Sequence, residues 1–179
     1  MDKNFCVMCI SGKAEAGKDL LASKFKEVAE SNDKKVCVMH YGDYLKDIAS
    51  RFYGWDGNKD EKGRTLLQWL GSDVARKENP NIWVNVIAET IAALKKEFDY
   101  FLIPDTRFPN EVDIINDSFD RAFSVRINRP DHKSKLTDEQ LLHISEIALD
   151  DFEFDFNLSA TNETEIIDLA EGLFGNLDL

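Results

Sequence analysis

An α/β fold built on a parallel sheet is what this sequence predicts, and three observations carry the prediction. Short apolar runs of strand length alternate along the chain with stretches of helical periodicity. The first apolar run passes through a glycine-bearing turn straight into an amphipathic helix. A later apolar run stops at a proline followed by an aspartate. Strands that alternate with helices pair in parallel through right-handed crossovers.

Taken in order, Phe5–Ile10 is a continuous apolar run and reads as a strand buried on both faces. Ser11–Gly17 is the turn. Lys18 to about Ser31 is a helix with the apolar stripe Leu20, Leu21, Phe25, Val28 and Ala29. Val36–Met39 reads as a second strand and Tyr44–Tyr53 as a helix. Gly54–Gly63 is a polar, glycine-rich loop. Helices are predicted over about Arg64–Lys77 and Ile82–Glu97, parted by Asn79-Pro80-Asn81. Tyr100–Ile103 is a third strand, ending at Pro104-Asp105, and Pro109 opens a short helix over Asn110–Asn116. Ala122–Ile127 is a fourth strand. Asn128–His143 is polar without a clear period, Phe152–Leu158 is a fifth strand, and Thr164–Phe174 is a last helix. The two irregular stretches read as insertions in one domain spanning residues 1–179, and loops of that length in a compact domain are usually lids or binding loops.

A chain of 179 residues suffices for one domain with a real core. A hydrophobic share of 43% beside 31% charged residues is the balance of a globular chain rather than a disordered one. No apolar run approaches the roughly 20 residues that span a bilayer. The basic flank and cleavage site of a signal peptide are absent too, so the expected location is the cytoplasm. A net charge of −12 repels polyanions, so no long nucleic acid and no membrane is expected as partner, only an anionic small molecule held by local cations. Cys6 and Cys9 form a C-x-x-C inside the first apolar run, where cysteine acts as a small buried hydrophobe. No second pair completes a zinc site.

The turn Gly12-Lys13-Ala14-Glu15-Ala16-Gly17-Lys18-Asp19 has the spacing G-x-x-x-x-G-K of a phosphate-binding loop. Two glycines let the backbone turn tightly so that successive N–H groups point inward at phosphate. The following helix aims its positive end at the same anion, and Lys18 adds a point charge. Asp19 stands where Ser or Thr usually gives a hydroxyl to Mg²⁺. A carboxylate is a hard ligand for that ion, directly or through water, and its charge is expected to make nucleotide binding depend on the metal. Asp105 follows a buried strand and so faces the ligand crevice, placed to hold a metal-bound water or orient the attacking group. Arg107, two residues on, could clamp a phosphate. Arg64 and Arg76 could hold an acceptor phosphate while Gln68 and Asp73 read a base edge or sugar; the same residues also read as the solvated face of a helix. Arg126 and Arg129 flank the second insertion. Arg129 and Lys133 suggest a charged lid, and the lone His143 reads as structural.

These segments together resemble the bacteriophage-type deoxynucleoside monophosphate kinases, a branch of the adenylate-kinase-like P-loop kinases. The likeness rests on Gly12–Asp19 and on Leu66-Leu-Gln68-Trp-Leu-Gly71-Ser-Asp73-Val-Ala-Arg76 with Trp83-Val84. It continues in Pro104-Asp105-Thr-Arg107-Phe-Pro-Asn-Glu111-Val-Asp113, in Arg129-Pro130, in His143-Ile-Ser145-Glu146 and in Ala160-Thr-Asn162. The resemblance implies a three-layer P-loop NTPase fold with a five-stranded parallel sheet, an acceptor-binding helical insertion over about 43–97 and a lid over about 128–146. It implies ATP and Mg²⁺ as cofactors, with Asp19 and Asp105 at the metal. The loop Gly12, Lys13, Ala14, Glu15, Ala16, Gly17, Lys18 and Asp19 would hold the donor. Asp43, Arg64, Gln68, Asp73, Arg76 and Trp83 would line the monophosphate site. Lys18, Asp105, Arg107 and Arg129 would act at the transfer point. Ser72 departs from a frequent Thr, and the acceptor-side loop is compact. P-loop phosphomevalonate kinases share the Asp-x-Arg region, so another phosphorylated metabolite, or a nucleotide-binding module without transfer, stays open as an alternative. A phage-encoded member would work in its host's cytoplasm, and the oligomeric state is open, a homodimer included.

Overall fold

Parallel pairing requires strands whose every side chain is covered, and β1 (Cys6–Ser11) is buried at all of its positions. The computed structural model describes residues 4–130, 134 and 136–177. In it β1 lies at the centre of a five-stranded, all-parallel sheet with β2 (Val36–Val38), β3 (Tyr100–Ile103), β4 (Ala122–Asn128) and β5 (Phe156–Ser159), in the order β2-β3-β1-β4-β5. Val7 sits opposite Phe101 on one side and Ala122 on the other, which fixes the register of the three central strands.

The two-residue period of the strands sorts their side chains into two cores. Cys6, Met8 and Ile10 face α1 (Lys18–Ser31) and α8 (Glu163–Asn176), packing with Leu21, Phe25, Ile166 and Leu173. Val7 and Cys9 face the opposite layer, where α4 (Ile82–Leu94) and α5 (Pro109–Ser118) contribute Val84, Ile87, Ile91, Val112 and Ile115. Fully burying side chains of this size stabilises by about 2 kcal/mol each, so the double-faced core explains why these strands are apolar without alternation. Cys6 and Cys9 belong to these cores, and burial pushes both thiols up to about 12. Among the described residues no group of His, Cys, Asp and Glu is arranged to hold a metal ion without further ligands, and no helix is long and apolar enough to cross a membrane.

The departures from the sequence reading have local causes. Helix α2 (Tyr41–Tyr53) starts three residues before the expected Tyr44, because Asp105 caps it from the end of β3. Helix α3 (Glu61–Gln68) starts inside the expected loop, where Asp60 accepts a hydrogen bond from the Gly63 amide. A Cβ on Gly63 would lie 2.1 Å from the Asn58 carbonyl oxygen, so the loop closes on this helix only with glycine there. The helix expected over Arg64–Lys77 is continuous, but Trp69–Arg76 is π-helical, a form that clusters at functional sites. The polar stretch 128–143 contains α6 (Asp138–Leu141) and leads into α7 (Ile144–Ile147). Lys133 lies outside the described residues. β5 starts at Phe156 instead of Phe152, because Asp155 turns its carboxylate onto the Ser124 amide and hydroxyl, 2.8 Å each, before pairing begins.

Candidate active site

Strand order reverses at β1 and β3. The crossover after β1 leads to β2 on one side, and the crossover after β3 leads to β4 on the other. Ligands of open parallel sheets bind beyond the strand ends at such a point. Both segments singled out in the sequence arrive here, the glycine-bearing turn from β1 and Asp105–Arg107 from β3.

The turn is a cradle that only glycine permits at its ends. A Cβ on Gly12 would lie 2.5 Å from the Ile127 carbonyl oxygen. Gly17 has φ 97° and caps α1, and a Cβ there would come within 2.6 Å of Ile166. Lys18 opens α1, and its ammonium folds back to donate to the carbonyls of Gly12 and Lys13, 2.8 Å each. Only 8% of Lys18 is exposed. Burial, with Arg107 nearby adding repulsion, lowers its pKa from 10.5 to about 8.

Thr106 ties the two strand ends together, its amide donating to Ile10 and its hydroxyl to Ile103. On one side of it, the two carboxylate oxygens of Asp105 accept the amides of Tyr41 and Gly42, 2.9 Å each. On the other, Glu111 is 1% exposed and accepts the amides of Arg107 and Phe108 at 2.7 and 3.0 Å. Its second oxygen pairs with Arg76, whose guanidinium lies 4.1 Å above the Phe108 ring. Burial raises the Glu111 carboxyl to about 6 in spite of Arg76, which pulls the other way. A single buried glutamate therefore orients both the strand-end loop and an arginine from the π-helical segment.

From the far side, α7 brings Glu146 onto the turn. One carboxylate oxygen accepts the Ala14 amide at 3.1 Å and the other pairs with Arg107, which also donates to the Ser145 carbonyl. Lys13 donates to the Glu146 carbonyl at 2.7 Å and pairs with Asp150 at 2.5 Å. Arg126 also meets Asp150, at 3.2 Å. His143 is structural, its ring nitrogen accepting the Ser145 amide at the start of α7. Asp19 leaves 83% of its side chain exposed and meets His40 at 3.1 Å. That hydrogen bond holds the Asp19 carboxyl below the usual range and raises the His40 imidazole.

These groups surround a cavity of about 430 Å³. Of the residues singled out in the sequence, Ala14, Glu15, Lys18, Asp19, Asp105 and Arg107 line it on the turn side, and Arg64, Gln68, Arg76 and Trp83 on the helical side. Gly12, Lys13, Ala16 and Gly17 of the turn lie outside its lining, and so do three residues from elsewhere in the chain. Asp43 pairs with Lys46 and His40, Asp73 is exposed on the π-helical segment, and Arg129 follows β4 beyond the wall. Trp83 is 5% exposed and gives its indole N–H to the Gly71 carbonyl, so it braces the π-helical segment from behind. Sequence reasoning assigned no role to His40, Glu111 or Glu146. Glu111 had a signal, a carboxylate in the first helical turn after a proline. Glu146 had none beyond its place in the His143–Glu146 segment of the resemblance, because its partners are 132 and 39 residues away.

No protein-family model matches the sequence, and no curated protein matches it either. By structure the chain is similar to the Mycobacterium tuberculosis APS kinase CysC in complex with AMPPNP and APS, at TM-score 0.57 and 9% identity, covering 99% of each chain. It is also similar to the shikimate kinase of Bacteroides thetaiotaomicron, at TM-score 0.55 and 15% identity, covering 97% of this chain and 99% of that one. Likeness at such identities establishes a shared fold, and the three-layer P-loop architecture is that fold.

Proposed function

We infer that the chain transfers a phosphoryl group from ATP to an acceptor that already carries a phosphate, a deoxynucleoside monophosphate first among them. The observation that carries this reading is the set of cations lining the cavity, Lys18 and Arg107 on the turn side and Arg64 and Arg76 on the helical side. A phosphate oxygen is already a nucleophile and needs cations to hold it. Arg64 and Arg76 line the cavity opposite Lys18, and Gln68 offers an amide between them to read a base edge. The resemblance to the phage-type kinases points to the same acceptor.

The donor side suits a nucleotide. The turn closes on phosphate with backbone N–H groups, and Lys18 stabilises charge as it builds on the transferred group. The residues present also suit Mg²⁺. Asp19 is exposed and turned to the cavity, and Asp105 could hold a metal-bound water. A site with so few protein ligands is typical of an ion that arrives with phosphates and keeps several waters. When bound, the ion neutralises charge on the phosphates. Arg107 clamps the group in transit, and Arg76, fixed by Glu111, orients the acceptor so that the reacting oxygens meet in line.

The test is ADP production from ATP and Mg²⁺, with each common ribo- and deoxynucleoside monophosphate supplied in turn. Acceptor-dependent ADP is the expected result. ATP binding without acceptor-dependent ADP would sink the monophosphate reading and favour another phosphorylated metabolite or a binding module.

A further inference from the structure

The donor cradle is already occupied by an anion of the protein's own. The Glu146 carboxylate accepts the Ala14 amide, pairs with Arg107, and has 5% of its side chain exposed. An amide of the cradle and the nearby arginine are the groups a phosphate would seek. The contact is not incidental to a floppy side chain, because the segment bearing Glu146 is fastened separately. Lys13, itself part of the cradle, donates to the Glu146 carbonyl and pairs with Asp150, and Asp150 also takes Arg126 from β4. A full negative charge on these donors repels an incoming phosphate and uses their hydrogen-bonding capacity.

We propose that Glu146 is a specificity-determining residue of the donor site, a built-in carboxylate that stands in for phosphate on Ala14 and Arg107 and that only a highly charged polyphosphate displaces. This rests on the reading of the turn as a phosphate cradle and adds a threshold to it. Orthophosphate, with one phosphoryl group, makes too few contacts to displace a fastened carboxylate. A triphosphate reaches deeper into the cradle toward Lys18 and displaces Glu146 from its rim. Between donors, the residue therefore favours the polyphosphate chain over any single phosphate group.

The experiment measures tripolyphosphate and orthophosphate binding to the full chain by calorimetry, without acceptor, for wild type, Glu146→Gln and Asp150→Asn. Glu146→Gln keeps the shape and removes the charge. It is expected to bind tripolyphosphate at least about tenfold more tightly and to gain measurable orthophosphate binding. Asp150→Asn leaves Glu146 in place but loosens its fastening, so it should shift affinity the same way by a smaller factor. It also keeps the idea testable if Glu146→Gln fails to fold. In an Arg107→Ala background the Glu146→Gln gain should shrink, because the shared partner is gone. Unchanged or weaker binding in both variants, or no binding in any of the three proteins, overturns the proposal. The two readings fail separately. Tighter binding with no transfer to any monophosphate leaves this inference standing and removes the kinase reading. Transfer by wild type without tighter binding in the variants does the reverse.

Discussion

Binding of a polyphosphate should change the protonation of Lys18, and the size of the change follows from its burial. Free, the ammonium rests on two carbonyls with Arg107 nearby, and its pKa is about 8 against an ordinary 10.5. That gap corresponds to about 3 kcal/mol held against the charged form. In the free protein it makes stability rise with pH from about 8 toward 10.5, because the unfolded chain binds the proton more tightly than the folded one. A bound polyphosphate replaces two carbonyl dipoles by full negative charge and returns the pKa to its ordinary value or above. At pH 9 about nine-tenths of the free protein carries neutral Lys18, so binding should draw in about 0.9 proton, against about 0.1 at pH 7. Affinity at pH 9 should be about tenfold below its neutral value. Titration calorimetry with tripolyphosphate at both pH values, in two buffers of different ionisation enthalpy, reads the proton count directly. Lys18→Met should bind weakly and show no uptake. A flat affinity from pH 7 to 9.5 with no proton uptake would refute the placement of Lys18 against the phosphates.

Three further outcomes are expected. Arg107→Ala should lower acceptor-dependent turnover by about 10²-fold while keeping most ATP affinity, measured by steady-state kinetics beside calorimetry; equal losses in both would make Arg107 a binding residue only. Tyr41→Phe should raise stability to urea by up to about 1 kcal/mol, since the buried Tyr41 hydroxyl has only the weakly accepting Cys9 sulfur beside it among the described residues. Glu111 has its carboxyl raised from 4.5 to about 6, so the folded state holds the proton more tightly and stability should fall by about 2 kcal/mol as pH rises from about 4.5 to 6. Glu111→Gln should remove that fall from the pH profile of urea unfolding, and an unchanged profile would show the buried carboxyl does not titrate there.

Most of the fold was legible in the sequence because the parallel sheet writes itself as uninterrupted apolar runs. β1 and β3 are such runs, and both fall within a residue of their expected limits. What could not be read were the features set by contacts distant in sequence. The start of α2 depends on a carboxylate 64 residues away, so no local capping residue announced it. The π-helical form of Trp69–Arg76 comes with Gly71 pressed under Leu45 and with Trp83 on the Gly71 carbonyl, neither of which has a periodic signature. The glycine cradle was legible because its chemistry is local, two glycines and a lysine at fixed spacing. Of the carboxylates that organise the rest of the site, Asp105 was legible from its place at a strand end and Glu111 from the helical turn after a proline, but the contacts of Glu146 were not, since an acidic residue in a chain of net charge −12 carries almost no information by itself.

That acidity has a physical consequence at the site. Phosphate sites are usually described by their cations, yet three of the cations at this candidate site are held by carboxylates, while Lys18 rests on two carbonyls. Arg76 is held by Glu111, Arg107 by Glu146, and Lys13 by Asp150. The pairs are also linked. Glu111 takes the Arg107 amide as well as the Arg76 side chain, and Glu146 takes the Arg107 side chain as well as the Ala14 amide. A continuous path of contacts thus runs from Arg76 through Glu111, Arg107 and Glu146 to the Ala14 amide of the turn. Its two glutamates are not equivalent. Glu111 is enclosed by the strand-end loop and has no route to leave without unmaking the start of α5, so it fixes the geometry. Glu146 sits on a four-residue helix fastened by surface ion pairs, which are weak and exchangeable. On the proposed reading, rearrangement on ligand entry should fall on the Glu146 side of Arg107, leaving Arg76 in its orientation while the glycine-bearing turn exchanges one anion for another.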